Sequence, residues 1–221
     1  MDDTLVDRVE AAVKPRLRGV LHEAGFAVAL VTGTALVCLS RGTLQHVATG
    51  IYAASVILLF GTSASYHRGR WSDRAHAVMM RLDHSMIFVL IAGTYTPFAL
   101  VVLHGWERWL VFGTVWAGAA AGIVTRNALR VPPRWLLTGL YLAQGWVALA
   151  ILPQLLREGG VTVVVLLLLG GVLYTLGAVV YARQRPDPSP RWFGFHEVFH
   201  AFTLAAFLVH YVAISLAVYR A

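Results

Sequence analysis

Charged side chains are what this sequence has least of. Asp, Glu, Lys and Arg make up 13% of its 221 residues, about half the share usual in a soluble domain. Their placement is more telling than their number. Lys and Arg are missing altogether from 19–40, 42–67, 82–107, 109–125, 135–156, 158–182 and 192–219. Each interval is near or above the ~17–25 residues that a membrane-spanning helix needs. Cysteine is nearly absent too. Cys38 is the only one, which excludes an internal disulfide and a thiolate metal cluster. The stretch Ala35-Leu36-Val37-Cys38 is no lipoprotein box, because Val37 sits where a small residue is needed. The first apolar segment is too long for a signal-peptide core and has no small-x-small cleavage site.

What fills the gaps is hydrophobic: 58% of the residues are, with a mean hydropathy of +0.67. The pattern predicts an all-α membrane protein, a bundle of seven transmembrane helices at 20–39, 47–67, 80–103, 108–125, 135–153, 161–182 and 195–218. One domain, 20–221, follows a tail at 1–19.

Orientation follows from the cations between the helices. One side carries Arg8, Lys14, Arg16, Arg18, Arg68, Arg70, Arg74, Arg81, Arg126, Arg130, Arg134, Arg183, Arg185 and Arg191; the other carries Arg41, Arg108, Arg157 and Arg220. That split predicts a cytoplasmic N-terminus and an external C-terminus. It also accounts for the net charge of +7 through anionic lipid headgroups, so nucleic acid is not an expected partner.

Smaller features are read locally. Leu5, Val9 and Val13 share a face of 3–14, ahead of Pro15, and predict a short interfacial helix. The proline-alternating 183–191 predicts an extended, stiff linker. Trp71, Trp106, Trp109, Trp135 and Trp192 fall at segment ends, as an aromatic belt does. Pro97 should kink the third helix, with neighbours and Thr hydroxyls satisfying the freed carbonyls. The small residues from Gly113 to Gly122 suit close helix packing.

Ionisable groups inside such segments are expensive, and each is a candidate for function. Only three acids fall within the seven predicted helices, Glu23, Asp83 and Glu197, all toward the cytoplasmic ends. His196 and His200, four residues apart, sit about 40° apart on a helix and can share one metal ion. Connectivity puts His67 and Asp83 at similar depth, and Ser63 lies on the same face as His67. Three neutral imidazoles with a water make an open, catalytic type of zinc site. His46, His76 and His104 read as polar tips at the headgroup level. His84, next to Asp83, either orients the carboxylate or packs. His22 and Glu23 either support the site or end a helix. His210 lies about 15 Å beyond His200 along one helix, too far to share the ion.

The strings Ser63-Ala-Ser-Tyr-His67, Leu82-Asp83-His84-Ser85, Ile91-Ala-Gly-Thr-Tyr-Thr-Pro97-Phe98 and Phe195-His196-Glu-Val-Phe-His200 resemble the hemolysin III family. It is the bacterial branch of the progestin and adiponectin receptor superfamily. The match runs in order from about residue 19 to the C-terminus. The resemblance implies that His67, His196 and His200 bind zinc, that Asp83 holds a water at the metal, and that Ser63 lines the site. It implies a multi-pass protein of the bacterial plasma membrane with membrane lipids as partners. The superfamily is also similar to alkaline ceramidases, which hydrolyse lipid amides at a comparable site. The family name reflects cell lysis, yet no amphipathic strand hairpin of a pore-forming toxin is visible. The long N-terminal domain of the animal receptors is not expected here, which argues against a hormone-receptor role.

Three functions are open at this point. The first is a zinc-dependent hydrolase of a lipid amide or ester, with Asp83 as proton acceptor and Ser63 facing the developing oxyanion. The second is an intramembrane metalloprotease, since His196-Glu197-x-x-His200 fits the zincin pattern; no carboxylate follows His200 to complete its ligand set. The third is a non-enzymatic sensor or receptor in which zinc joins the helices.

Overall fold

The computed structural model describes residues 14–129 and 132–220. Among them the protein is helical, apart from one bridge between Ser189 and Phe193. Seven helices are long and apolar enough to cross a bilayer: α1 (Val20–Leu39), α2 (Gly42–Arg68), α3 (Asp73–Val102), α4 (Gly105–Ala128), α5 (Arg134–Glu158), α6 (Gly160–Arg183) and α7 (Phe195–Arg220). Number and order match the sequence pattern. Several ends run further than hydropathy marks, since a helix satisfies its own backbone beyond the hydrocarbon region as well as inside it. Asp73 and Glu107 therefore lie in first turns, where an acid suits the helix dipole.

α3 is the central element, with 78% of its apolar window buried, and α4 the most peripheral, with 22%. Successive helices pack as neighbours, α6 lies against α7, and α1 reaches α7. The small residues of α4 serve this packing on one side only. A Cβ at Gly122 would lie 2.3 Å from the Phe88 ring, whereas one at Gly113 meets nothing.

Two irregular stretches shape the middle of the bundle. The disturbance expected at Pro97 is a π turn over Phe98–Val102. Thr94 and Thr96 donate their hydroxyls to the carbonyls of Leu90 and Ala92, both at 2.8 Å. In α5, Trp146–Ile151 tightens to a 3-10 helix. Tyr95 explains it: its hydroxyl donates to the Gly145 carbonyl (2.6 Å) and accepts from the Ala148 N–H (2.7 Å).

The connection from α6 to α7 is not the extended linker expected. Gln184 closes α6 in the left-handed region, at φ 53°. Pro190 then takes the second position of a turn closed by the Trp192 N–H donating to the Ser189 carbonyl at 2.9 Å. Proline favours that position. The interfacial helix expected over 3–14 lies outside the described residues except for Lys14, which is not helical.

Candidate metal centre

The end of α2, the third turn of α3 and the start of α7 meet at one end of the bundle. His67, His196 and His200 each turn one ligand atom inward, and the three atoms lie within 4.8 Å of one another. Nε2 of His67 and Nε2 of His196 are 3.1 Å apart. Two imidazole nitrogens face each other so closely only with a proton between them or a cation beside them. Tetrahedral zinc with nitrogens at 2.0–2.1 Å would hold a pair ~3.3 Å apart. Nδ1 of His200 is buried without a partner, a cost of roughly 1–3 kcal/mol for a polar group that ligation is one way to remove. The donor set therefore fits zinc.

Asp83 stands at the edge of this cluster, its Oδ2 3.9 Å from Nε2 of His67. That is too long for a direct hydrogen bond and suits a bridging water. The buried Ser63 hydroxyl donates to the Asp83 carboxylate. All five residues singled out from the sequence thus come together.

Glu197 is close in sequence but turned away. Its Oε1 accepts from Nε of Arg18 at 2.6 Å, and its Oε2 from the Gly194 N–H at 2.8 Å. The second contact caps the first turn of α7, as a carboxylate three residues into a helix does.

A family model of Haemolysin-III related proteins matches residues 11–211. The chain belongs to the hemolysin III family. It is 30% identical to hemolysin-3 of Bacillus cereus over 163 residues, 72% of this chain and 69% of that one. The hemolysin-3 homolog of Bacillus subtilis (strain 168) is 32% identical over 154 residues, 70% and 69% of the two chains. An adiponectin receptor protein of Drosophila melanogaster is 27% identical over 238 residues, 85% of this chain and 48% of the receptor. With the seven apolar helices, these relatives identify a multi-pass plasma-membrane protein.

In this hemolysin III chain the histidine cluster is covered by the segment ahead of α1. Lys14 donates to the His67 carbonyl. Arg16 and Leu17 donate backbone N–H groups to the carbonyls of Arg191 and Trp192, and the Arg16 guanidinium lies 4.5 Å above the Trp192 ring. Gly19 turns the chain into α1 at φ 84°, and a Cβ there would lie 2.7 Å from that of His67. Only glycine fits that turn. Burial, then the charges of Arg18 and Arg68, hold the Lys14 ammonium below the ordinary lysine range.

The remaining candidates separate cleanly. His22 joins the site, stacking on His200 with centroids 3.5 Å apart and both nitrogens buried without partners. Glu23 instead pairs with Arg68 at 3.2 Å on the exposed surface. His210 faces the Leu167 carbonyl at 3.0 Å, away from the cluster. His84 accepts from Nε of Arg126 at 3.1 Å. Arg18 and Arg126 were visible in the sequence only as orienting charges. Nothing in their spacing marks them out.

Proposed function

We propose that this hemolysin III protein is a zinc-dependent membrane hydrolase of a lipid amide or ester, its site near the cytoplasmic face. The reading is carried by Asp83, a carboxylate that Ser63 orients and that stands one water's breadth from the histidine cluster. When bound by His67, His196 and His200, zinc supplies Lewis acidity toward a carbonyl and toward water.

The chain's own residues supply the rest. Asp83 holds a water molecule and takes its proton as the oxygen adds to the carbonyl carbon. The same carboxyl group then gives that proton to the departing amine or alcohol. Ser63, already donating to Asp83, fixes the carboxylate's direction. His22 packs flat on His200 and limits its ring rotation. Glu197 stays out of the reaction, with both oxygens engaged by Arg18 and Gly194. The segment at 14–19 lies across the ends of α2 and α7, so lipid enters sideways between helices.

The test is to incubate purified, zinc-loaded protein with a bacterial lipid extract and to look for released fatty acid by mass spectrometry. Asp83→Asn should abolish release with zinc still bound, and Glu197→Gln should retain most of it. An inactive Glu197→Gln beside an active Asp83→Asn would turn the reading to the zincin mechanism. No turnover in wild type on any lipid or membrane peptide would leave the sensor or receptor reading.

A further inference from the structure

Each residue from Lys14 to Gly19 is fastened to the elements that carry the histidines. Lys14 donates to the His67 carbonyl. Cγ of Pro15 lies 3.5 Å from where a Cβ on Gly194 would stand. Arg16 and Leu17 donate their N–H groups to the Arg191 and Trp192 carbonyls at 3.0 and 3.2 Å. Arg18 pairs with Glu197, which lies between His196 and His200 in the chain, and the backbone at Gly19 presses on His67. The strap so formed runs from the end of α2 to the start of α7. Under it His67 and His200 are only 6% and 2% exposed. Its own six residues, Lys-Pro-Arg-Leu-Arg-Gly, include no zinc ligand.

Metal and lipid differ in the routes open to them. A lipid reaches the cluster between helices, within the bilayer. A divalent cation cannot take that way, since even one charge is expensive in hydrocarbon, and has to pass the aqueous end of the bundle. The strap lies across that end. It also carries three cations, Lys14, Arg16 and Arg18, and like charges oppose the passage of a metal ion in either direction. The outer part of the strap is held at the surface, where the Arg16 guanidinium lies 4.5 Å above the Trp192 ring and Trp192 is 47% exposed. A short segment fastened by so few contacts opens locally long before the whole protein unfolds.

We propose that residues 14–19 are a gate on the metal's route: zinc enters and leaves the histidine cluster when the strap lifts from α2 and from the turn before α7, while lipid uses the sides of the bundle. The proposal rests on zinc as the occupant of the cluster and not on turnover of a lipid. A gate has a kinetic signature. An opening that lies on the path both in and out multiplies the two rates equally and leaves Kd alone, whereas a brace that holds the ligands in place acts on Kd.

The experiment uses the whole protein in an uncharged detergent. Loss of zinc to excess EDTA gives the exit rate, uptake by the metal-free protein gives the entry rate, and competition with a chelator of known affinity gives Kd. Arg16→Gln and Trp192→Ala remove the same contact. Each should speed entry and exit about threefold, and the two together should go no further, with Kd unchanged. Arg18→Met separates the gate from simple electrostatics. Taking a cation from beside a dication slows its release, whereas a strap that has lost its buried ion pair should release zinc at least tenfold faster. Exit rates at the wild-type level in all three variants overturn the gate. Faster exit with entry unchanged, so that Kd weakens by the same factor, overturns it too and makes the strap a brace. A wild type that binds no zinc removes the metal reading and the gate together. Rates that change as expected without any lipid turnover keep the gate and remove the hydrolase reading.

Discussion

Glu197 joins three parts of the chain: the segment before α1 through Arg18, the turn before α7 through Gly194, and α7 itself. It is 1% exposed, and removing one partner of a buried ion pair leaves an uncompensated charge. Glu197→Ala should therefore cost on the order of 3 kcal/mol, read as a lower Tm, with zinc content at wild-type level. The proposed zinc ligands should behave in the opposite way. His196→Ala or His200→Ala should lose nearly all zinc by elemental analysis, and Asp83→Asn should keep most of it. An empty Asp83→Asn beside a full His67→Ala would reverse the roles assigned here. The positions of the three histidines and Asp83 were legible in the sequence, because an ionisable group in an apolar segment must have a reason to be there, and Ser63 because it shares a helix face with His67. The direction in which Glu197 points was not. Its offset of about 100° from His196 fits a zincin base and a helix cap equally, and only Arg18, 179 residues away, separates the two.

At the scale of the helix, number and order could be read from the gaps between cations, since a bilayer leaves few other ways to bury such runs. The irregular stretches could not, because they depend on partners. Pro97 announces its own disturbance, whereas nothing in 134–158 announces the 3-10 stretch of α5. Tyr95 on α3 imposes it by accepting one backbone bond and donating another. Tyr95→Phe should leave the Ala148 N–H unpaired and cost about 1–3 kcal/mol, with faster hydrogen exchange at Trp146–Ile151 as its local signature. Equal exchange in the variant would mean that the helix tightens for a reason of its own. The 183–191 connection teaches the same point. Its prolines suggest an extended chain, yet Pro190 is also the residue a turn prefers second, and the Ser189 and Phe193 pairing decides between them.

For the whole molecule, the charge split of the loops predicts the orientation. Alkaline phosphatase fused after Ala221 should be active, and the same enzyme fused within 68–76 or 183–191 should not be. An active reporter within 183–191 would invert the bundle and move the histidine cluster to the outer face. Chelation of zinc should lower Tm, because the ion would tie α2 to α7 and its binding energy adds to folding. That tie has a consequence in time. His196 leaves the ribosome 129 residues after His67, which at 5–20 residues per second is a delay of roughly 6–26 seconds. Throughout it His67 stands without the other two histidines of the cluster, and the Arg18 side chain waits for the carboxylate that will hold it. The centre cannot form piece by piece as the chain emerges. It comes into being only with the insertion of the final helix, so a chain interrupted before α7 has one histidine of the cluster and lacks the other two.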